Sequence, residues 1–514
     1  MDPDPETQEK RPRHRHADFN VFSLPEGAEL AGGSLGPALV SEWVALAMEQ
    51  VGQVSKERRT LLLPGGPHHL SSIMESELQP ILPDEGTGPR EAIAHLTKVL
   101  AMGAIDPADP RCAGHLHCPP LAMAAAADIV GSVLNPSMDS WDQAPSSTEL
   151  ERLMARELAR LVHPQAVEAD TLVTTGGSES NLVGLLLARE WARREDPRPL
   201  QVVRGANAHH SVDRAVWLLG LPPAQVVACP DGRVEPDDMA IVLDAIEGPI
   251  AVIATAGTTD TGEVDPLTAL AEVTHSRGGH FHVDGAYGGI ALLSDALRPL
   301  LAGIEQADTV ALDLHKLGWQ PVAAGLLTVS DRRRISALNV RADYLNSTDD
   351  TEAGQPDLLS RAIRTTRRPD VFKMAVTFRA LGRTGLGQLV EKCCSIAEEL
   401  AQIISARPTL NLWRPPRLST VLFRPVQADA MPKKDADLFV GLIRRELLER
   451  GVAVLARARA PENDGNFALW LKFTLLNPQA TAADYEGLLD AVEHLASQLS
   501  LSTEGGAKSG IGSP

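Results

Sequence analysis

The hydrophobic pattern changes period along the chain, and the changes divide it. From about residue 36 to 105 apolar side chains recur every three to four positions, as in ALVSEWVALAMEQV, which predicts amphipathic helices. CAGHLHCPPLAMAAAADIVGSVLN and SSTELERLMARELARLV continue the pattern, each a helix behind a loop rich in His, Cys and Pro or in Ser and Thr. Between about 166 and 330 the apolar runs shorten: DTLVTT, QVVRG, AQVVAC, PIAVIAT, GHFHVD, TVALDL and AGLLTVS alternate with helical stretches. That alternation predicts an α/β unit, a mostly parallel seven-stranded sheet wrapped by helices. A polar loop then leads into the long helix PDVFKMAVTFRALGRTGLGQLVEKCCSIAEELAQII. The rest, with STVLFRP and FALWLKFTLL among two helices, predicts a smaller α+β unit. The divisions are a disordered tail at 1–20, a helical segment at 21–105, a large sheet domain at 106–395, a small domain at 396–500 and a disordered tail at 501–514.

Composition narrows this picture. The chain has 514 residues, net charge −19 and 44% hydrophobic residues, ordinary for a large globular protein and unfavourable for a broad nucleic-acid surface. No run of about 18 uncharged apolar residues occurs, so no membrane span is expected. The N-terminus lacks the apolar region of a secretory signal, and five cysteines without a C-x-x-C pair fit reduced thiols in a cytoplasm.

In open α/β sheets ligands gather at the carboxyl ends of strands, and here those ends carry unusual chemistry. DTLVTT is followed by GGSESN, where Gly176 and Gly177 allow close approach, Ser178 can cap, and the next helix aims free N–H groups at an anion. A capped strand–helix turn reads the same. AHHSVD places His209, a planar ring able to stack on an aromatic ligand, before a helix. TAGTTDTGEVDP offers the hydroxyls of Thr258 and Thr259. HVDGAYGG ends a strand in Asp284, with Gly285 and Ala286 leaving space in front. TVALDLHKLGW sets His315 beside Lys316 and breaks at Gly318. A phosphate cradle, a stacking ring, an acid and a lysine, in this order, are what pyridoxal phosphate requires: the lysine for its aldehyde, the acid for its ring nitrogen.

These motifs together resemble the group II pyridoxal-phosphate-dependent amino-acid decarboxylases, over roughly residues 90–495. The resemblance implies the type I, aspartate aminotransferase-like fold, carboxy-lyase activity on an L-amino acid, and a cytoplasmic homodimer with sites at the interface. It also implies roles: Lys316 as the Schiff-base lysine, Asp284 at the pyridinium, His209 stacked on the ring and catalytic, and Ala286 behind it. Gly177, Ser178 and His315 would hold the phosphate, and Thr258 would reach the ring substituents. HLHCPP, NPSMDSWDQAPSSTELE, ADYLN and LKFTLLNP look most like the L-2,4-diaminobutyrate decarboxylase branch, which forms 1,3-diaminopropane. His115, His117, Asp139, Asp142 and Tyr344 become substrate-site candidates, with interface or capping roles as the bland reading of the aspartates. Lysine, ornithine, glutamate and aromatic amino acids stay open as substrates. One departure stands out: the loop NSTDDTEAGQPDLLSRAIRTTRR carries no tyrosine where many relatives place a proton donor. Tyr344, His209, water and Lys316 remain as donors, and an aldehyde-forming, oxygen-using outcome remains a rival. Arg367 and Arg368 stay unassigned. A metal-dependent hydrolase built on the H-x-H pairs HLH and HFH is a remote alternative that leaves Lys316 unused, so no metal site is expected.

Overall fold

The computed structural model describes residues 27–340, 342–462 and 466–505. Its centre is a seven-stranded sheet whose strands coincide with the seven apolar runs: β1 Asp170–Thr174, β2 Gln201–Gly205, β3 Gln225–Val227, β4 Ile250–Thr255, β5 His280–Gly285, β6 Thr309–Asp313 and β7 Gly325–Val329. The spatial order is β1-β7-β6-β5-β4-β2-β3, and β7 alone runs antiparallel to its neighbours. Every residue of β4, β5, β6 and β7 is buried, as expected of strands covered on both faces. The first core packs these strands against helix Leu267–His275 and the long helix Val371–Ala406.

A second sheet, β10-β11-β9-β8, belongs to the small C-terminal unit and has its own core. Its strands are β8 Leu410–Leu412, β9 Thr420–Pro425, β10 Ala456–Pro461 and β11 Phe467–Thr474. β9 and β11 are the two apolar runs read from sequence. β8 has only three residues, and β10, ARARAP, carries its inward face on alanines, whose hydrophobic signal is weak.

N-terminal to the sheet lie helices Gly36–Glu57, Gly66–Leu78 and Pro89–Gly103, which bury few side chains; Gly66–Leu78 buries none. The last helix, Glu486–Gly505, extends into the stretch read as a tail from 501. Residues 1–20 and 506–514 lie outside the described residues. No helix among the described residues is long and apolar enough to cross a membrane. Arg367 and Arg368 take up structural pairings: Arg367 forms a buried two-pronged pair with Glu151 at 3.0 Å, and Arg368 meets Asp128 at 3.1 Å.

The register sets the position of the site. Asp313 pairs with Gly325, Gly325 with Thr174, and Thr255 with Asp284. The carboxyl ends of β1, β4, β5 and β6 therefore share one edge with the start of β7.

Candidate active site

A cavity of about 340 Å³ opens at that edge. Gly177, Ser178, His209, Asp284, Ala286, His315 and Lys316 all line it, so seven of the residues singled out in sequence converge.

The turn after β6 presents Lys316. Leu314 N–H donates to the Ala324 carbonyl, Gln320 N–H to Leu314, and Trp319 N–H to Lys316 itself. A Cβ on Gly318 would lie 2.6 Å from the Leu314 carbonyl oxygen, so only glycine permits this turn. Trp319 holds a left-handed φ of 51°, and its indole Nε1 donates to Leu476 of the small unit at 2.8 Å. The Lys316 Nζ pairs with Asp313 Oδ2 at 2.9 Å, and His315 Nε2 stands 3.5 Å from the same oxygen. Burial, opposed by Asp313, pushes the His315 imidazole below its ordinary range.

Close packing of backbone explains GGSES. A Cβ at Gly176 would come within 2.9 Å of the His315 ring, and one at Gly177 within 2.8 Å of the Ala286 methyl. The loop thus runs against the β6 turn, and helix Gly177–Ala192 starts at the cavity without a side-chain cap. Its first residues, Gly177, Ser178 and Glu179, line the cavity, and the free N–H groups of such a helix start suit an anion.

Asp284 leaves β5 held by two donors: Asn181 Nδ2 at 2.8 Å on Oδ2 and Ala286 N–H at 3.1 Å on Oδ1. His209 is fixed through Nδ1 by Ser211 Oγ at 2.8 Å, and burial, opposed by Asp284, lowers its pKa.

Other expectations land elsewhere. Thr258 does not line the cavity; its hydroxyl bonds Thr261 Oγ1 at 2.7 Å and accepts the Glu263 N–H at 3.2 Å, stabilising a turn. Thr255, three residues earlier, does line it, and its buried hydroxyl has no partner. Asp139 accepts from Gln143 at 3.0 Å and Asp142 from Ser140 at 2.5 Å; neither lines the cavity. His115 and His117 are exposed and also lie off it, and Tyr344 is 83% exposed. The H-x-H pair in β5 has its ring nitrogens taken: His280 by Thr309 and Arg334, His282 by Thr309 and Asn181. It is not a free ligand set.

Sequence reading also missed residues. Asn181 stands four positions after Gly177, one helical turn on and on the same face, a spacing that flags it. Glu179 lines the cavity and pairs with Arg364 at 3.0 Å. Lys472 of β11, only 5% exposed, donates to the Thr259 carbonyl at 2.7 Å and so sets a buried cation against the cavity rim. Burial lowers its pKa, partly offset by Asp260. No local pattern in LKFTLL marks it.

The residues fit pyridoxal phosphate. Unpartnered buried atoms, Thr255 Oγ1, Asp313 Oδ1 and His315 Nδ1, belong to residues of this cavity, whose lining also joins an uncapped helix start to a lysine, an acid and an imidazole.

Comparison with known proteins agrees with this chemistry. The model of the pyridoxal-dependent decarboxylase conserved domain matches residues 67–426. L-2,4-diaminobutyrate decarboxylase of Rhizobium meliloti is 37% identical over 425 residues, covering 81% of this chain and 84% of that protein. The enzyme of the same name from Acinetobacter baumannii is 31% identical over 439 residues, covering 79% and 84%. Among solved structures, the glutamate decarboxylase domain of diaminobutyrate-pyruvate transaminase and L-2,4-diaminobutyrate decarboxylase from Vibrio parahaemolyticus superposes with a TM-score of 0.79 at 29% identity, covering 91% and 98%. Oryza sativa TDC, solved with PLP and tryptamine, has a TM-score of 0.81 at 22% identity and covers 91% and 99%, a likeness of fold. With a lysine and an acid lining one sheet-end cavity, and a family model spanning most of the chain, this protein belongs to the pyridoxal-dependent amino-acid decarboxylases.

Proposed function

We propose that the chain removes the α-carboxylate of L-2,4-diaminobutyrate as CO₂, leaving 1,3-diaminopropane. The observation that carries the reading is the meeting of Lys316, Asp284, His209 and the Gly176–Gly177 helix start in one cavity. The relatives of that name support the substrate.

Bound pyridoxal phosphate supplies an electron-accepting ring through which the bond from Cα to the carboxylate breaks. The protein does the rest. Lys316, which lines the cavity, would hold the cofactor through its side-chain amine. Asp284, held by Asn181 and Ala286, would accept a hydrogen bond from the ring nitrogen. The first N–H groups of helix Gly177–Ala192, with Ser178 and His315, would take the phosphate. Ala286 and His209, which both line the cavity, would bound the cofactor ring. Lys472 supplies positive charge at the rim, where a carboxylate is received.

Cα must then gain a proton. Tyr287 does not give it: its hydroxyl is shared with Ser419 and Thr420 at 2.9 Å each, and burial pushes its pKa up. His209 or Lys316, both lining the cavity, would give it. Tyr344→Phe is therefore expected to keep decarboxylation within about threefold of wild type, less than the loss general acid catalysis leaves behind. Abolished CO₂ release with cofactor still bound would overturn this assignment.

A homodimer fits the uncovered apolar surface. Leu150, Leu153, Met154, Leu161 and Phe378 line a hollow of about 830 Å³ between helices Pro145–Val162 and Val371–Ala406, and a second copy would cover it. The five cysteines are free thiols, in keeping with a cytoplasmic setting.

The deciding experiment measures CO₂ release from diaminobutyrate, ornithine, lysine, glutamate and aromatic amino acids side by side. Diaminobutyrate should give the highest kcat/KM. A better substrate elsewhere in that panel overturns the substrate, and peroxide with ammonia beside the CO₂ would reveal the aldehyde-forming outcome.

A further inference from the structure

β5 carries two histidines, His280 and His282, on one face of a fully buried strand. Neither touches the cavity, yet both meet the hydroxyl of Thr309 on β6, at 2.9 and 2.8 Å. The chain of contacts continues both ways. His282 Nε2 reaches Asn181 Oδ1 at 2.9 Å, and Asn181 Nδ2 reaches Asp284 at 2.8 Å and Ser211 Oγ at 2.9 Å. On the outer side His280 Nδ1 meets Arg334 Nη1 at 3.2 Å, and Arg334 Nη2 donates to Asp308 at 2.7 Å.

The direction of every bond in this series follows from its ends. A guanidinium only donates and a carboxylate only accepts. Arg334 therefore donates to His280 Nδ1, which puts the His280 proton on Nε2, pointing at Thr309. The amide nitrogen of Asn181 must face Asp284, so its oxygen faces His282, whose proton is also on Nε2. His282 Nδ1 then accepts the Thr309 proton, and the Thr309 oxygen accepts from His280. At the branch, Asn181 donates to Ser211, whose own proton goes to His209 Nδ1. His209 is left with its remaining proton on Nε2. Burial keeps both strand histidines neutral, pushing His280 down to about 3 and His282 to about 4, as this arrangement requires.

We propose that Arg334, His280, Thr309, His282 and Asn181 form a one-directional hydrogen-bond relay that aims Asp284 at the cofactor and fixes the tautomer of His209. His280 and His282 are positioning residues in it. The inference rests on Asp284 meeting the ring nitrogen. A single donor series is stiffer than separate pairs, because each bond polarises the next. Among the described residues, Asn181 and Ala286 are the donors to the carboxylate, so an error upstream reaches it through the Asn181 amide.

The test uses Thr309→Val, which keeps the side-chain shape and removes the joining hydroxyl, with Thr309→Ser as rescue. In the holoenzyme Thr309→Val should bind pyridoxal phosphate about tenfold more weakly and change the visible spectrum of the bound cofactor. Thr309→Ser should restore both to within about twofold, which general loss of packing would not do. Should Thr309→Val fail to fold, Arg334→Met at the outer end, 14% exposed, should weaken cofactor binding about threefold. Histidine ¹⁵N shifts in the apoprotein report the tautomers without cofactor: both β5 rings should carry hydrogen on Nε2. Hydrogen on Nδ1 of either ring, or wild-type affinity and spectrum in Thr309→Val, overturns the relay. If Asp284→Asn also left affinity and spectrum unchanged, the assignment of Asp284 itself would fall instead.

Discussion

Lys316→Ala is expected to reduce CO₂ release by about 10⁴-fold or more, since on the proposed assignment it removes both the covalent hold on the cofactor and a candidate proton carrier. A second consequence must be separated from the first. Asp313 is buried, and its contacts are Lys316 at 2.9 Å and His315 at 3.5 Å. Alanine strips it of its cation, and leaving a buried charge unpaired costs about 3 kcal/mol or more. Lys316→Arg separates the effects: it keeps a positive partner for Asp313 while offering no amine able to attack an aldehyde. Arginine should thus restore the melting temperature lost in the alanine variant and restore no activity. Borohydride treatment of the wild-type holoenzyme, followed by peptide mapping, should place the tag on Lys316. A tag on another lysine, or activity surviving in either variant, would end the assignment.

Much of this site was legible because it is built from strand ends. Seven apolar runs became seven strands, and a parallel sheet brings the ends of its strands to one edge whatever the loops do. Lys316, Asp284, His209 and the glycine pair were visible for that reason, each near the close of a short apolar run or the start of a helical one. What stayed hidden depends on side-chain direction across the fold. Thr258 and Thr255 share a hydroxyl-rich segment, and only the turn closed by Glu263 shows that the first is consumed and the second is free. Lys472 sits 188 residues away from Asp284 in sequence and reaches the rim only because β11 of the small unit docks there. Asp139 and Asp142 illustrate the converse. Their local sequence suggested a pocket, but Gln143 and Ser140 hold them in a turn of their own. The HFH motif, read as a remote metal pair, has its nitrogens engaged by neighbours that no linear pattern displays.

Asp284→Asn should lower kcat by about 10³-fold, roughly 4 kcal/mol of barrier, with a much smaller effect on folding. The side chain is nearly isosteric, so packing in the buried β5 survives. Its two oxygens, however, each receive a donor, from Asn181 and from Ala286. An amide can accept only one of these with its oxygen and must turn its NH₂ toward the other, setting donor against donor. On the proposed assignment it also presents no negative charge to the ring nitrogen, whose protonation the electron sink requires. The two losses are distinguishable. Wild-type protein loaded with a cofactor analogue carrying carbon in place of the ring nitrogen loses the ring's partner but keeps Asp284 and its donors intact. That complex should be slowed about as much as Asp284→Asn with the natural cofactor. Combining analogue and variant should cost little more than either alone, because both remove one interaction. Losses that multiply would mean that Asp284 acts on something other than the ring nitrogen, and the placement of the cofactor in this cavity would have to be redrawn.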